Sequence, residues 1–151
     1  MTQDAVEILL VEDNSSDVEL TLHALKKHNI GNHIEVVRDG AAALDFIYGS
    51  GAYQGRNTAN TPKVILLDLK LPKIDGLGVL QKLKSDERTR SIPIVVVTSS
   101  REERDLTASY QFGVNSYVVK PVDFEQFSEA VRQLGLYWLL VNEPAKFHLE
   151  R

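Results

Sequence analysis

Val64-Ile65-Leu66-Leu67-Asp68-Leu69-Lys70-Leu71-Pro72-Lys73-Ile74-Asp75-Gly76 is the run whose reading decides the fold. Its first four residues are apolar at every position, so both faces must be covered, as in a buried parallel strand. An acid, Asp68, stands at the carboxyl end of that strand, and Asp75-Gly76 reads as the start of a helix. A strand, an acid, a loop and a helix in this order are half of a βαβ unit.

The same alternation extends in both directions. Further strand-like runs are Ile8-Leu9-Leu10-Val11, Ile34-Glu35-Val36-Val37, Ile92-Pro93-Ile94-Val95-Val96-Val97 and Ser116-Tyr117-Val118-Val119. Between and after them lie apolar residues at helical spacing: Val18-Leu22-Leu25, Ala42-Leu44-Ile47, Val79-Leu80-Leu83, Leu106-Tyr110 and Phe124-Phe127-Val131-Leu134. Helix starts are expected at Asp17, Asp39, Asp75-Gly76, Ser99-Ser100 and Pro121-Val122-Asp123. Five strands alternating with five helices predict an α/β fold, a doubly wound parallel sheet built from right-handed crossovers, with its functional crevice at the strand carboxyl ends. Gly49 to Thr61, rich in Gly, Asn and Thr, reads as an inserted surface loop.

Composition narrows the function. The 151 residues suit one domain, and 43% hydrophobic with 25% charged residues is ordinary for a soluble protein. No apolar run approaches the roughly 20 residues of a membrane span, and Met1-Thr2-Gln3-Asp4 lacks the layout of a secretory signal; a cytoplasmic location is expected. The absence of cysteine excludes disulfides and thiolate chemistry, and a net charge of −4 disfavours nucleic acid as a partner.

The polar residues at the strand ends carry the chemistry. They are Glu12 and Asp13 after the first strand, Asp68 after the third, Thr98 with Ser99 after the fourth, and Lys120-Pro121 after the fifth. Three converging carboxylates repel one another unless a cation neutralises them, and a donor set of oxygen alone suits a hard ion such as Mg²⁺ or Mn²⁺. An ammonium and a hydroxyl beside them are the groups that steady a phosphoryl group in transfer to a carboxylate, with Asp68 as nucleophile. Lys120-Pro121 is expected to hold a cis bond. His23, His28, His33 and His148 are scattered and read as surface or packing residues.

Glu12-Asp13, Asp68, Thr98 and Lys120-Pro121, in this order at strand ends, together with Leu71-Pro72-Lys73-Ile74-Asp75-Gly76, resemble the receiver domain of bacterial response regulators over residues 6–134. The resemblance implies a CheY-like (βα)5 sheet of strand order 2-1-3-4-5. It also implies Asp13 and Asp68 as metal ligands, Glu12 acting through water, and Lys70 offering its backbone carbonyl. Asp68 would be the phosphorylation site, Lys120 the phosphate's partner, and Thr98 and Tyr117 a switch pair that alters the fourth helix, fifth strand and fifth helix. Lys70 and Ser100 flank the site where they can tune phosphate lifetime. The long loop, Asp68-Leu69-Lys70-Leu71-Pro72, and the tail Tyr137-Trp138-Leu139-Leu140-Val141-Asn142-Glu143-Pro144 resemble the small Rcp-type regulators of cyanobacterial phytochromes. That implies a phytochrome-like histidine kinase as phosphodonor and a homodimer through the last strand, the last helix and the tail.

On this reading residues 1–134 are the receiver and 135–151 an extension, with no output domain, so the signal leaves by protein contact or by phosphotransfer to a further protein. Leu136 to Val141 is apolar at six successive positions, more than one helix face buries; it covers either a partner or the chain's own fifth helix. The chain is not expected to turn over a substrate. A dehalogenase-type phosphatase wants a second Asp two residues after the first, where Lys70 stands, and a nucleotide-binding loop wants glycine where Asn14-Ser15-Ser16 stand. A pseudo-receiver that only docks partners is the remaining alternative.

Overall fold

The computed structural model describes residues 6–30, 33–121 and 123–141. Within them β1 (Ile8–Val11), β2 (Ile34–Val37), β3 (Val64–Leu67), β4 (Ile94–Thr98) and β5 (Ser116–Val119) alternate with α1 (Ser15–Lys27), α2 (Gly40–Tyr48), α3 (Gly76–Ser85), α4 (Glu103–Gln111) and α5 (Phe124–Leu136). The strands form one parallel sheet in the order β2-β1-β3-β4-β5, as expected.

Strand alternation splits the core in two. Leu9, Val11, Ile65 and Leu67 pack with Ala43, Phe46, Val79, Leu80 and Leu83 on the α2 and α3 side, while Ile8, Leu10, Val64 and Leu66 pack with Val18, Leu25, Phe127 and Val131 on the α1 and α5 side. The β1, β3 and β4 strands lie at the centre of the sheet and are covered on both faces, which is why their sequences show little polar alternation.

Caps fix where the helices begin. Asp39 accepts from Ala42 N, Asp75 from Gly78 N and Asp123 from Glu125 N, as the sequence predicted; Val122 lies outside the described residues. Two starts differ. The cap of α1 is Asn14, whose side chain accepts from Asp17 N at 3.0 Å, and this places Asp17 inside the first turn with its carboxylate released for another partner. At α4 the cap position is Glu102 rather than Ser99-Ser100: Ser100 Oγ donates to Asp105 Oδ2 at 2.6 Å and accepts from Glu102 N at 3.3 Å, and the helix begins at Glu103. The β4 strand starts at Ile94 rather than Ile92, since Ile92 N is drawn into a turn by Thr89 O. The peptide bond before Pro121 is trans, not the expected cis. Trans is favoured by about 0.5–1 kcal/mol at such bonds, and the lysine side chain reaches its partners from that backbone.

The loop between β3 and α3 is clamped by a glycine. Gly76 N donates to Leu69 O at 2.8 Å, and a Cβ at Gly76 would lie 2.2 Å from Asp68 O. Helix propensity alone would make Gly76→Ala stabilising by about 1 kcal/mol. The clash is with backbone that cannot rotate away, so we expect instead a loss of about 2 kcal/mol in urea unfolding, as for an overpacked core.

The Gly49–Thr61 insertion folds back onto the sheet. Gly49 ends α2 with φ 67°, a 3₁₀ turn spans Gly51–Tyr53, and Tyr53 packs edge-on against Phe46 while donating to Glu35 at 2.8 Å. Beyond α5 a π-helical turn covers Tyr137–Val141. Trp138, 8% exposed, buries in the α1–α5 core and Leu139 packs beside it, so part of the apolar run covers the chain's own helix; Tyr137 stays 49% exposed. The rest of the tail, residues 142–151, lies outside the described residues, as does the N-terminal Met1-Thr2-Gln3-Asp4.

Candidate functional site

Sheet register assembles the site. In the order 2-1-3-4-5 the chain leaves β1 and β3 in opposite directions, which opens a crevice beyond their carboxyl ends. Val11 is in register with Leu67, so the next residues, Glu12 and Asp68, emerge side by side. Asp68 N donates to Val11 O at 3.1 Å, and Glu12 N to Val37 O at 3.0 Å. Thr98 is in register with Val119, and Lys120 N donates to Thr98 O at 2.7 Å, which brings the lysine to the same edge.

One ammonium serves three carboxylates. Lys120 Nζ lies 2.6 Å from Glu12 Oε1, 2.7 Å from Asp17 Oδ2 and 3.2 Å from Asp68 Oδ2. Asp68 is 9% exposed, and its other oxygen accepts from Leu69 N at 2.7 Å, so its plane is held from both sides. Asp17 is the site residue that the sequence reading missed. The available signal was its position four residues after Asp13, one turn along a helix that starts at the crevice.

Glu12, Asp13 and Asp68 each present a carboxylate oxygen within 4.8 Å of the others. Three acids with an all-oxygen donor set, more negative charge than one lysine balances, fit a hard divalent cation such as Mg²⁺ or Mn²⁺. Lys70 is exposed two residues beyond Asp68. Thr98 is fully buried, with its hydroxyl accepting from Ser100 N at 3.3 Å; Tyr117 is half-buried and donates to Ser100 O at 3.1 Å. The expected switch pair therefore meets at Ser100, whose own hydroxyl reaches Asp105 in the first turn of α4.

Burial first, and neighbouring charge second, act on Glu12. Burial pushes its carboxyl up to about 7, with the Asp68 charge adding and Lys120 opposing. The Lys120 ammonium is desolvated, which lowers its pKa, but the hydrogen bonds of Asp17 and Glu12 overcome this and leave it raised. A carboxyl raised in the folded state contributes stability that is fully present below its unfolded value, near 4.5, and lost as pH rises through about 7. Metal-free protein should therefore melt at a lower temperature at pH 8 than at pH 5, with Glu12→Gln flattening the slope. A divalent cation held by this trio would have to displace that proton, so Mg²⁺ affinity, read by calorimetry, should climb across the same interval.

Comparison with known proteins places the chain. The model of the response regulator receiver domain matches residues 8–132. A probable methanogenesis regulatory protein, FilR2, of Methanothrix harundinacea is 42% identical over 91% of this chain and 86% of its own. Response regulator Rcp1 of Synechocystis is 39% identical over 91% of this chain and 92% of its own, and the crystal structure of Mn²⁺-bound Rcp1 matches with a TM-score of 0.84, covering 93% and 99% of the two chains. The structure of phosphorylated RcpA, a cyanobacterial phytochrome response regulator, gives a TM-score of 0.85 at 35% identity, covering 95% and 100%. The bacteriophytochrome response regulator AtBRR gives 0.73 at 53% identity, covering 93% and 100%. With the family pattern running from β1 into α5 and relatives alike over nearly their whole length, the chain belongs to the response regulator receiver family.

Proposed function

We propose that this protein is a phosphoacceptor switch in which Asp68 takes the phosphoryl group of a phytochrome-like histidine kinase. The observation that carries this is the pair of Lys120 Nζ and Asp68 Oδ2 at 3.2 Å, set beside the acidic trio of Glu12, Asp13 and Asp68. In the transfer an Asp68 oxygen forms a P–O bond as the P–N bond of the kinase phosphohistidine breaks and the imidazole leaves with its electron pair. Lys120 balances charge on the transferring group, and the Thr98 hydroxyl turns to donate to it. A Mg²⁺ held by Glu12, Asp13, Asp68 and the Lys70 carbonyl would supply the remaining charge neutralisation.

Readout follows from Ser100. A phosphoryl group adds about two negative charges and three acceptors; when it recruits Thr98, the turn that carries Ser100 must follow. Tyr117 and Asp105 hold that turn at 3.1 and 2.6 Å, so the change passes to α4 and β5. The same face, with Leu106 and Tyr110 exposed on α4, suits a homodimer or an effector, and onward phosphotransfer is the other exit. This reading places the protein in the cytoplasm with its kinase; among the described residues no helix is long and apolar enough to cross a membrane.

The phytochrome-like donor rests on likeness to RcpA and AtBRR. Intact mass after incubation with Mg²⁺ and acetyl phosphate tests the chemistry. A gain of one phosphoryl group, about 80 Da, that disappears with chelator is expected. No gain, under conditions that modify an active receiver, would replace this reading with that of a docking module.

A further inference from the structure

The Lys120 ammonium has three acceptors, and they are not equivalent. Glu12 and Asp68, at 2.6 and 3.2 Å, belong to the trio whose oxygens converge within 4.8 Å; Asp17, at 2.7 Å, does not. A divalent cation in the trio draws on the two carboxylates, Glu12 and Asp68, that also accept from the lysine, and its charge repels the ammonium. Asp17 is also the wettest of the three, 32% exposed against 5% and 10%, so it holds a charge at the smallest desolvation cost. Its carboxylate is available because Asn14, not Asp17, caps α1.

We infer that Asp17 is a positioning residue: it keeps the Lys120 ammonium over Asp68 when a divalent cation takes the other two carboxylates, so that lysine and metal occupy the site together. Without it the lysine depends on Glu12 and Asp68 alone, and cation and ammonium compete. The inference rests on the proposed roles of Asp68 and Lys120 and adds to them a residue whose side chain need not touch the phosphoryl group.

A double-mutant cycle on the full chain, read as Mg²⁺ affinity by titration calorimetry, tests this. Asp17→Asn should weaken Mg²⁺ binding about tenfold in the parent, and about threefold or less in a Lys120→Met background, where no ammonium needs a second acceptor. Asp17→Glu should restore most of the parent affinity, which a purely structural role in the first turn of α1 would not require. Equal losses in the two backgrounds would overturn the inference, leaving simple attraction between Asp17 and the cation; so would no loss in the parent. The phosphoryl-transfer reading fails separately, through the mass experiment on unmodified protein.

Discussion

Asp68→Asn should take up no phosphoryl group from acetyl phosphate at any Mg²⁺ concentration, and in metal-free buffer should melt higher than the parent. The first result follows because an amide oxygen is not a competent nucleophile here and its product has no stable acyl phosphate form. The second follows from charge. Lys120 is shared among Glu12, Asp17 and Asp68, which leaves two negative charges in excess within a few ångströms once Glu12 is ionised, and the Asp68 charge adds to the burial that holds Glu12 near 7. Asn keeps the acceptor that takes the Leu69 N–H at 2.7 Å, removes the charge and turns an amide NH2 toward Lys120, which retains Glu12 and Asp17 as acceptors. A gain of about 1 kcal/mol is expected, or roughly 2–4 °C for a domain of this size. Adding Mg²⁺ should reverse the order, since the parent gains binding energy that the variant has lost. If the variant melted well below the parent in chelator, the missing phosphoryl group would report damage to the fold rather than loss of the nucleophile.

Strand-end acids and central strands were legible in the sequence for one reason: a parallel sheet buried on both faces leaves polar residues only where a strand stops. Once Val64 to Leu67 is read as such a strand, Asp68 falls at its end, and the same reading puts Glu12, Thr98 and Lys120 at theirs. Asp17 was harder to read, because an acid at a helix start reads first as a cap and its spacing from Asp13 is only a weak signal against that. Only the hydrogen bond from Asp17 N to Asn14 Oδ1 shows which residue caps and which is free. The start of α4 was misread for a related reason: serine at a turn signals a cap, but Ser100 donates to Asp105 instead. The apolar run after α5 shows a limit of another kind. Periodicity counts how much surface must be covered but does not say by what, and burial of Trp138 against α1 and α5 depends on long-range contacts no local pattern encodes.

Lys120→Met should have the largest effect on stability, with a sign set by pH and by Mg²⁺. Lys120 is 12% exposed and is the cation that pairs with Glu12, Asp17 and Asp68 among the described residues. Removing one partner from a buried ionic cluster costs about 3–5 kcal/mol, because the charges left behind are neither solvated nor paired; methionine fills the space of the lysine stem without supplying a charge. The carboxylates would then bind protons more tightly in the folded state than in the unfolded one. Stability of that kind is full below the unfolded pKa, near 4.5 for Glu12, and is lost as pH rises through the folded value. The deficit relative to the parent, measured by urea unfolding in chelator, should be small at pH 5 and reach several kcal/mol at pH 8. Mg²⁺ should recover most of it, since a cation enters a trio with no ammonium beside it to repel it and every tenfold excess over its dissociation constant adds about 1.4 kcal/mol. A deficit that stayed the same at both pH values and with Mg²⁺ would mean that Lys120 matters through the packing of its stem, and the electrostatic account of this site would fail with it.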